Sequence, residues 1–169
     1  MKILHVLDHS IPLQSGYSFR TRAILREQVQ RGWDVVAVTS GKHGAAVGDP
    51  EVVDGLRFYR TPRAPHWLDK LPAGDQLAIV KALRHNLARI IERERPDLLH
   101  AHSPSLNALA ALGAAAKARL PVVYEIRAFW EDAAADHGTT REGSLRYRVT
   151  RALESWVVQR ADAVTVICE

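Results

Sequence analysis

The sequence predicts an α/β fold built on a doubly wound, mostly parallel sheet. Three observations carry that reading. Short apolar runs rich in β-branched residues recur along the chain, stretches of helical periodicity lie between them, and the two kinds alternate from Lys2 to Ile167. Parallel strands are buried on both faces, so they show as continuous apolar runs, and their helical crossovers are right-handed. With 169 residues, 47% hydrophobic and 25% charged, the chain has the size and composition of one globular domain.

Residues 2–8 form the first strand and Asp34-Val35-Val36-Ala37-Val38-Thr39 the second. Between them, residues 17–31 place Leu25 and Val29 at helical spacing, pair Glu27 with Arg31 four residues on, and stop at Gly32. Residues 56–60 alternate apolar and polar, which predicts an edge or one-sided strand. Asp75 caps a long helix that sets Ile79, Leu83, Leu87 and Ile90 on one face, and Pro96 ends it by disfavouring helical backbone at Arg95. A fourth strand carries His100. Ser103 and Pro104 are a cap and first-turn pair for the next helix, whose Leu106, Leu109, Ala110 and Gly113 make a flat packing face. Pro121 precedes a fifth strand, Val122-Val123-Tyr124-Glu125. Ser144 caps a helix with Leu145, Val149, Leu153 and Trp156 on one face, before a sixth strand at residues 163–167.

The formal charge of +4 suits nucleic acid, an anionic membrane face or a phosphorylated substrate equally. The arginines are dispersed apart from Arg141, Arg146, Arg148 and Arg151, and neither zinc-finger spacing nor an aromatic RNA-binding signature is present. Nucleic acid is therefore not expected as a partner. No apolar run is long enough to cross a bilayer, and Met1 to Val6 reads as a strand, so a cytoplasmic protein is expected. The single cysteine, Cys168, rules out an internal disulfide framework and reads as a small buried residue. Residues 61–73, with Pro62, Pro65, Trp67, Leu68, Leu71 and Pro72, form a loop that either meets lipid or acceptor or packs back through Trp67 and Leu71. Because a doubly wound domain normally runs on after its sixth strand, an end at Glu169 suggests part of a longer protein.

In open α/β sheets the ligand crevice lies beyond the carboxyl ends of the strands. His102 sits at such an end, in Leu98-Leu99-His100-Ala101-His102-Ser103-Pro104, and is the candidate catalytic residue. His100, two residues back, shares its face and is assigned a structural role. The pair suggests a metal site, but the third ligand would have to come from another strand, such as Glu125, and no metal is assigned. The first strand leads into Ser15-Gly16 and a helix carrying Arg20 and Arg22. A helix start with a glycine offers unpaired amides and a positive dipole end to phosphate, while a tight turn at Gly16 explains the same residue equally well. A dinucleotide fingerprint is absent. Glu125 and Arg127 alternate with Ile126, so both face the cleft, where Arg127 holds an anionic or hydroxyl-rich ligand or else pairs internally with Glu125. Phe129 and Trp130 fit core or lid packing, and without a G-x-S-x-G elbow neither Ser103 nor Ser105 reads as a hydrolase nucleophile. On residues alone, two functions remain open: an enzyme with His102 at its centre, or a non-catalytic α/β module that binds a phosphorylated ligand.

Taken together, Ser15-Gly16 in the first loop, the block from Pro96 to Pro104 and the closing Arg160-Ala161-Asp162-Ala163-Val164 resemble the amino-terminal half of family 4 retaining glycosyltransferases. The run from Tyr124 to Gly138 with Glu154-Ser155-Trp156 looks like the branch associated with exosortase systems and exopolysaccharide biosynthesis. The resemblance implies a GT-B fold, with residues 1–169 as the acceptor-side Rossmann-like domain and a carboxyl-terminal donor-binding domain missing from this chain. It implies transfer of a hexosyl group from a nucleotide sugar to a glycan or polyisoprenyl-linked acceptor, at the cytoplasmic side with peripheral contact to anionic membrane. Cofactor and metal are not implied. Gly16 matches the glycine that meets the donor diphosphate, and His102 the second histidine of the family's His-x-His block. Ser15, Gly16, Arg20, Glu125 and Arg127 are the expected substrate-binding residues. The family often has a second glycine where Ser15 stands, and the glutamates that hold the donor sugar belong to the missing half, so this chain alone is expected to be inactive.

Overall fold

A computed structural model describes residues 1–44, 49–63, 74–128 and 144–167. Its strands are β1 (Lys2–Leu7), β2 (Asp34–Thr39), β3 (Glu51–Val53), β4 (Leu56–Arg60), β5 (Leu98–His102), β6 (Val122–Ile126) and β7 (Ala163–Val166). Its helices are α1 (Gly16–Gln30), α2 (Gly74–Glu94), α3 (Ser105–Ala118) and α4 (Leu145–Val158). The strands form one sheet in the order β3-β4-β2-β1-β5-β6-β7, parallel throughout except for β3 against β4. Without β3 this is the doubly wound order, in which the chain reverses direction across the sheet between β1 and β5. That reversal opens the crevice.

Strands and helices alternate as expected except between β2 and β4, where no described helix intervenes, and among the described residues the sheet has seven strands rather than six. β3 and β4 form a hairpin whose two turn residues, Asp54 and Gly55, have φ of 55° and 76°. Both positive values suit the turn that matches strand twist, for which Asp-Gly is a preferred pair. β4 is therefore flanked on both sides rather than at the edge. Its polar positions are ion-paired: Arg57 reaches Asp34 and Glu94, and Arg60 reaches Glu51 at 2.6 Å.

Several helix expectations change in detail. Asp75 lies inside the first turn of α2, where it still faces the positive helix end, instead of capping it. The helix does stop at Glu94, with Arg95 at φ 48° before Pro96. Ser103 does not cap α3; that place is held by Pro104, while the Ser103 hydroxyl accepts the Arg127 N–H at 3.0 Å. α3 buries Asn107, Ala108, Ala110, Ala111, Ala114 and Ala115, so of the expected face only Ala110 is fully buried. Gly113 instead passes beneath Arg84 of α2, where a Cβ would lie 2.9 Å from Nε. Ser144 caps α4 as expected, yet Leu145 and Val149 are 79% and 58% exposed and Trp156 is also exposed. α4 turns Val157 and Glu154 inward, where Glu154 accepts the Tyr124 hydroxyl at 2.6 Å. That buried hydrogen bond sets the helix rotation against the apolar stripe. Residues 64–73, Phe129, Trp130 and Cys168 lie outside the described residues.

Two apolar clusters sandwich the sheet. Leu4, Val6, Val36, Val38, Leu99, Ala101 and Tyr124 pack against α2 and α3 on one face. On the other, Leu7, Val35, Ala37 and Phe58 pack with Leu25 of α1. No helix among the described residues is long and apolar enough to cross a membrane.

Candidate functional site

Strand alternation sorts β1 and β5 into two faces. Leu4 and Val6 point one way; His5 points the other, and its register partner is His100 of β5, with His102 two residues further on and Glu125 of β6 opposite His102. The sheet thus assembles three imidazoles and a carboxylate beneath α1 at the β1/β5 reversal. His5 and His102 are fully buried, and Glu125 and Arg127 are also in the interior.

A continuous chain of contacts runs through this polar core. Gln28 of α1 places Oε1 2.8 Å from His5 Nε2, His5 Nδ1 lies 2.8 Å from His102 Nε2, and the Arg127 Nη2 group donates to His102 Nδ1. The His100 ring stacks on His102 at 4.3 Å. Arg127 also donates through Nε to Glu125 Oε1 at 3.2 Å, and through Nη1 to the Thr21 hydroxyl at 2.8 Å and the Tyr17 carbonyl at 3.2 Å. Of the two readings of Glu125 and Arg127, the internal ion pair is therefore present. Arg20, half-exposed on α1, adds a 3.1 Å contact to Glu125 Oε1.

Burial controls the charge states. Loss of water pushes His102 down to about 3, helped by His100 and Arg127 against the pull of the Glu125 carboxylate. His5 is lowered by burial and by the neighbouring imidazoles, and His100 falls to about 4, again by burial. Burial alone would raise Glu125, but the His102 imidazole and Arg127 guanidinium beside it hold it well below the usual carboxylate range. Near neutral pH the core therefore holds three neutral imidazoles around one carboxylate–guanidinium pair. A neutral, buried His102 can accept or donate a hydrogen bond, but it has no extra proton to release as an acid.

Among the described residues, His5, His100 and His102 come closest to a metal-donor set, with ring nitrogens within 4.8 Å of one another. Ligands of one tetrahedral zinc lie about 3.3 Å apart, given bonds of about 2.0 Å. The 2.8 Å between His5 and His102 fits a shared proton instead, and Arg127 brings a positive charge to the same ring. The donor set suits a hydrogen-bonded chain better than an ion.

Above the buried chain lies the rim of the crevice. Leu7, Asp8, His9, Tyr17, Thr21, His102, Ser103 and Arg127 enclose a small cavity of about 10 Å³. Ser15 caps α1 by accepting the Ser18 N–H at 3.1 Å, and His9 Nε2 sits 2.8 Å from its hydroxyl. Lys42 pairs with Asp8 at 3.2 Å. Arg60 anchors this loop through Ser10 and the Ile11 carbonyl. Gly16 is exposed, has no left-handed backbone, and a Cβ there meets nothing within 4 Å among the described residues. Neither a strained turn nor close packing requires a glycine at that position.

His5, Gln28 and Thr21 were not singled out from the sequence. A lone histidine inside the apolar run Lys2-Ile3-Leu4-His5-Val6-Leu7 was the available signal for His5. Its partners depend on strand register.

A doubly wound sheet with a polar core at its switch point and an open helix start beside it defines a Rossmann-like α/β domain. The chain belongs to the Glycosyl transferase 4-like domain family, whose model matches residues 15–169. No match is found among curated proteins. Among solved structures, LpCGTa in complex with UDP is similar at a TM-score of 0.66 and 13% identity, covering 96% of this chain and 46% of that one. Sucrose-phosphate synthase from Thermosynechococcus elongatus matches at 0.59 and 15%, over 96% of this chain and 41% of its own. UDP-GlcNAc 2-epimerase from Methanocaldococcus jannaschii matches at 0.56 and 11%, over 97% and 38%. At these identities the likeness is one of fold, that of the GT-B glycosyltransferases. This chain spans less than half the length of each.

Proposed function

We propose that this chain is the acceptor-side domain of a retaining glycosyltransferase that moves a hexosyl group from a nucleotide sugar to a glycan or polyisoprenyl-linked acceptor. The observation that carries the reading is the polar chain at the β1/β5 reversal, ending at His102 and Arg127 against the rim cavity. Family membership supports transferase chemistry, and the open space over Gly16 supports close approach of a diphosphate to the first amides of α1. In this role Arg127 supplies fixed positive charge, and Ser15 holds the helix start that faces the phosphates. His102 contacts a sugar or acceptor hydroxyl as a neutral hydrogen-bonding group, its orientation set by Glu125, Arg127 and His5. Arg20, paired to Glu125 yet half-exposed, is placed to meet negative charge from solvent. Contact with anionic membrane and a part in exopolysaccharide assembly belong to the same proposal.

The test is transfer by the full-length protein carrying His102→Ala, assayed against nucleotide-sugar donors and lipid-linked acceptors. A fall in kcat/KM of about 10²-fold or more is expected for losing one preorganised group in a dry site. Unchanged turnover overturns the role of His102. Binding of a phosphorylated ligand without any transfer by the full-length protein would favour the non-catalytic module, which the exposed Gly16 and the capped start of α1 also suit.

A further inference from the structure

The protons of the buried chain can be counted. A neutral imidazole carries one N–H and one lone pair, so in a row of imidazoles the state of one end sets the state of the other. Gln28 presents Oε1 to His5, which places the His5 proton on Nε2 and leaves Nδ1 to accept. His102 must then donate from Nε2 across the 2.8 Å contact, and its Nδ1 is left as an acceptor. The far end agrees, because the group that meets Nδ1 is the Arg127 guanidinium, which can only donate.

One neighbour is mismatched by this arrangement. Glu125 Oε2 lies 2.9 Å from the same Nδ1 and can only accept. A donor for it is nevertheless at hand: His100 Nε2, which has no hydrogen-bond partner among the described residues, lies 3.5 Å away. The opposite arrangement exchanges one mismatch for the other. If the Gln28 amide turned its NH₂ toward His5, both imidazoles would shift tautomer and His102 Nδ1–H would donate to Glu125, losing Arg127. Arg127 and Glu125 thus compete for one nitrogen.

We infer that Gln28 and His5 are positioning residues for His102, fixing which of its nitrogens carries the proton and hence whether Arg127 or Glu125 holds the ring. Gln28 performs this from the partly buried side of α1, three contacts away from the crevice. The inference deepens the proposed function, since it assigns a control of His102 that the transfer reaction would feel. Its readout is independent of transfer.

The experiment is long-range ¹H–¹⁵N NMR of the 169-residue chain at neutral pH, in which protonated and unprotonated ring nitrogens of a neutral histidine are resolved. In the native chain His102 is expected to show protonated Nε2 and unprotonated Nδ1. Gln28→Glu, which can only accept, keeps that pattern. Gln28→Leu removes the anchor at a partly buried position, and the Nδ1 signal is expected to lose its unprotonated character as the proton redistributes toward Glu125. An unaltered His102 pattern in Gln28→Leu overturns the inference, as does a flipped pattern in Gln28→Glu. A shifted pattern in Gln28→Leu with unchanged transfer by the full-length protein sustains the positioning role and counts against His102 in the reaction, so the two readings fail separately.

Discussion

The same strands present two different interiors, one on each side of the sheet. Toward α2 and α3, Leu4, Val6, Leu99 and Ala101 make an apolar layer in which each hydroxyl has one carboxylate: Tyr124 donates to Glu154, and Tyr59 to Glu94 at 2.6 Å. Toward α1, His5, His100, His102, Glu125 and Arg127 fill the equivalent space with titratable groups. The first side gains from burial alone, about 1.5–3 kcal/mol for each large aliphatic side chain. The second has to offset the desolvation of two charges and three imidazoles through hydrogen bonds, a costly way to fill a core. Placed directly under the crevice, it shows where the fold departs from what stability would select.

The largest expected break in this contrast comes from the ion pair. Glu125→Leu leaves Arg127 without its buried carboxylate and is expected to cost about 3–5 kcal/mol in urea unfolding, whereas Glu125→Leu with Arg127→Met recovers most of that loss. If the double variant is as unstable as the single one, the polar face is needed for folding itself. Acid sharpens the contrast further. Because His5 and His102 bind protons less readily folded than unfolded, stability is complete above about pH 6.5 and falls as the pH drops toward about 3. Between pH 7.5 and 5, where unfolded carboxylates stay mostly ionised, the loss from His102 is on the order of 2 kcal/mol, and His5 adds to it in the same direction. Equal urea midpoints at the two pH values would show that these rings already carry charge in the folded chain. The smallest effect is expected at the rim: Gly16→Ala should raise stability by up to about 0.5–1 kcal/mol. In the full-length protein the same change should weaken nucleotide-sugar binding in calorimetry. Unaltered affinity would remove the phosphate role of Gly16.

Much of this was legible in the chain. Strand positions and the order of elements followed from apolar runs and helical spacing, and the cap at Ser144 from its place before a periodic segment. The hairpin's signal, Asp54-Gly55, is present in the chain, but the expectation of an edge or one-sided strand rests on the alternation in Leu56-Arg57-Phe58-Tyr59-Arg60 and misses it. What could not be read were the partners. α4 turned away from its apolar stripe because Tyr124, thirty residues upstream, recruits Glu154. Ser103 gave its hydroxyl to Arg127 rather than to α3, once β5 and β6 lay side by side.

His102 illustrates the division most directly. Its place at a strand end, two residues after His100 and ahead of a helix, was determined by the sequence alone, as was the glycine at the opening of α1. Only the tertiary structure decided that His5 lies beside it, that Gln28 anchors the row, and that burial keeps the imidazoles neutral. Periodicity is a local property of the backbone, repeated every two or 3.6 residues, and so it survives in one dimension. Register and desolvation come from residues 23 to 97 positions apart, and they arise only when the sheet has formed.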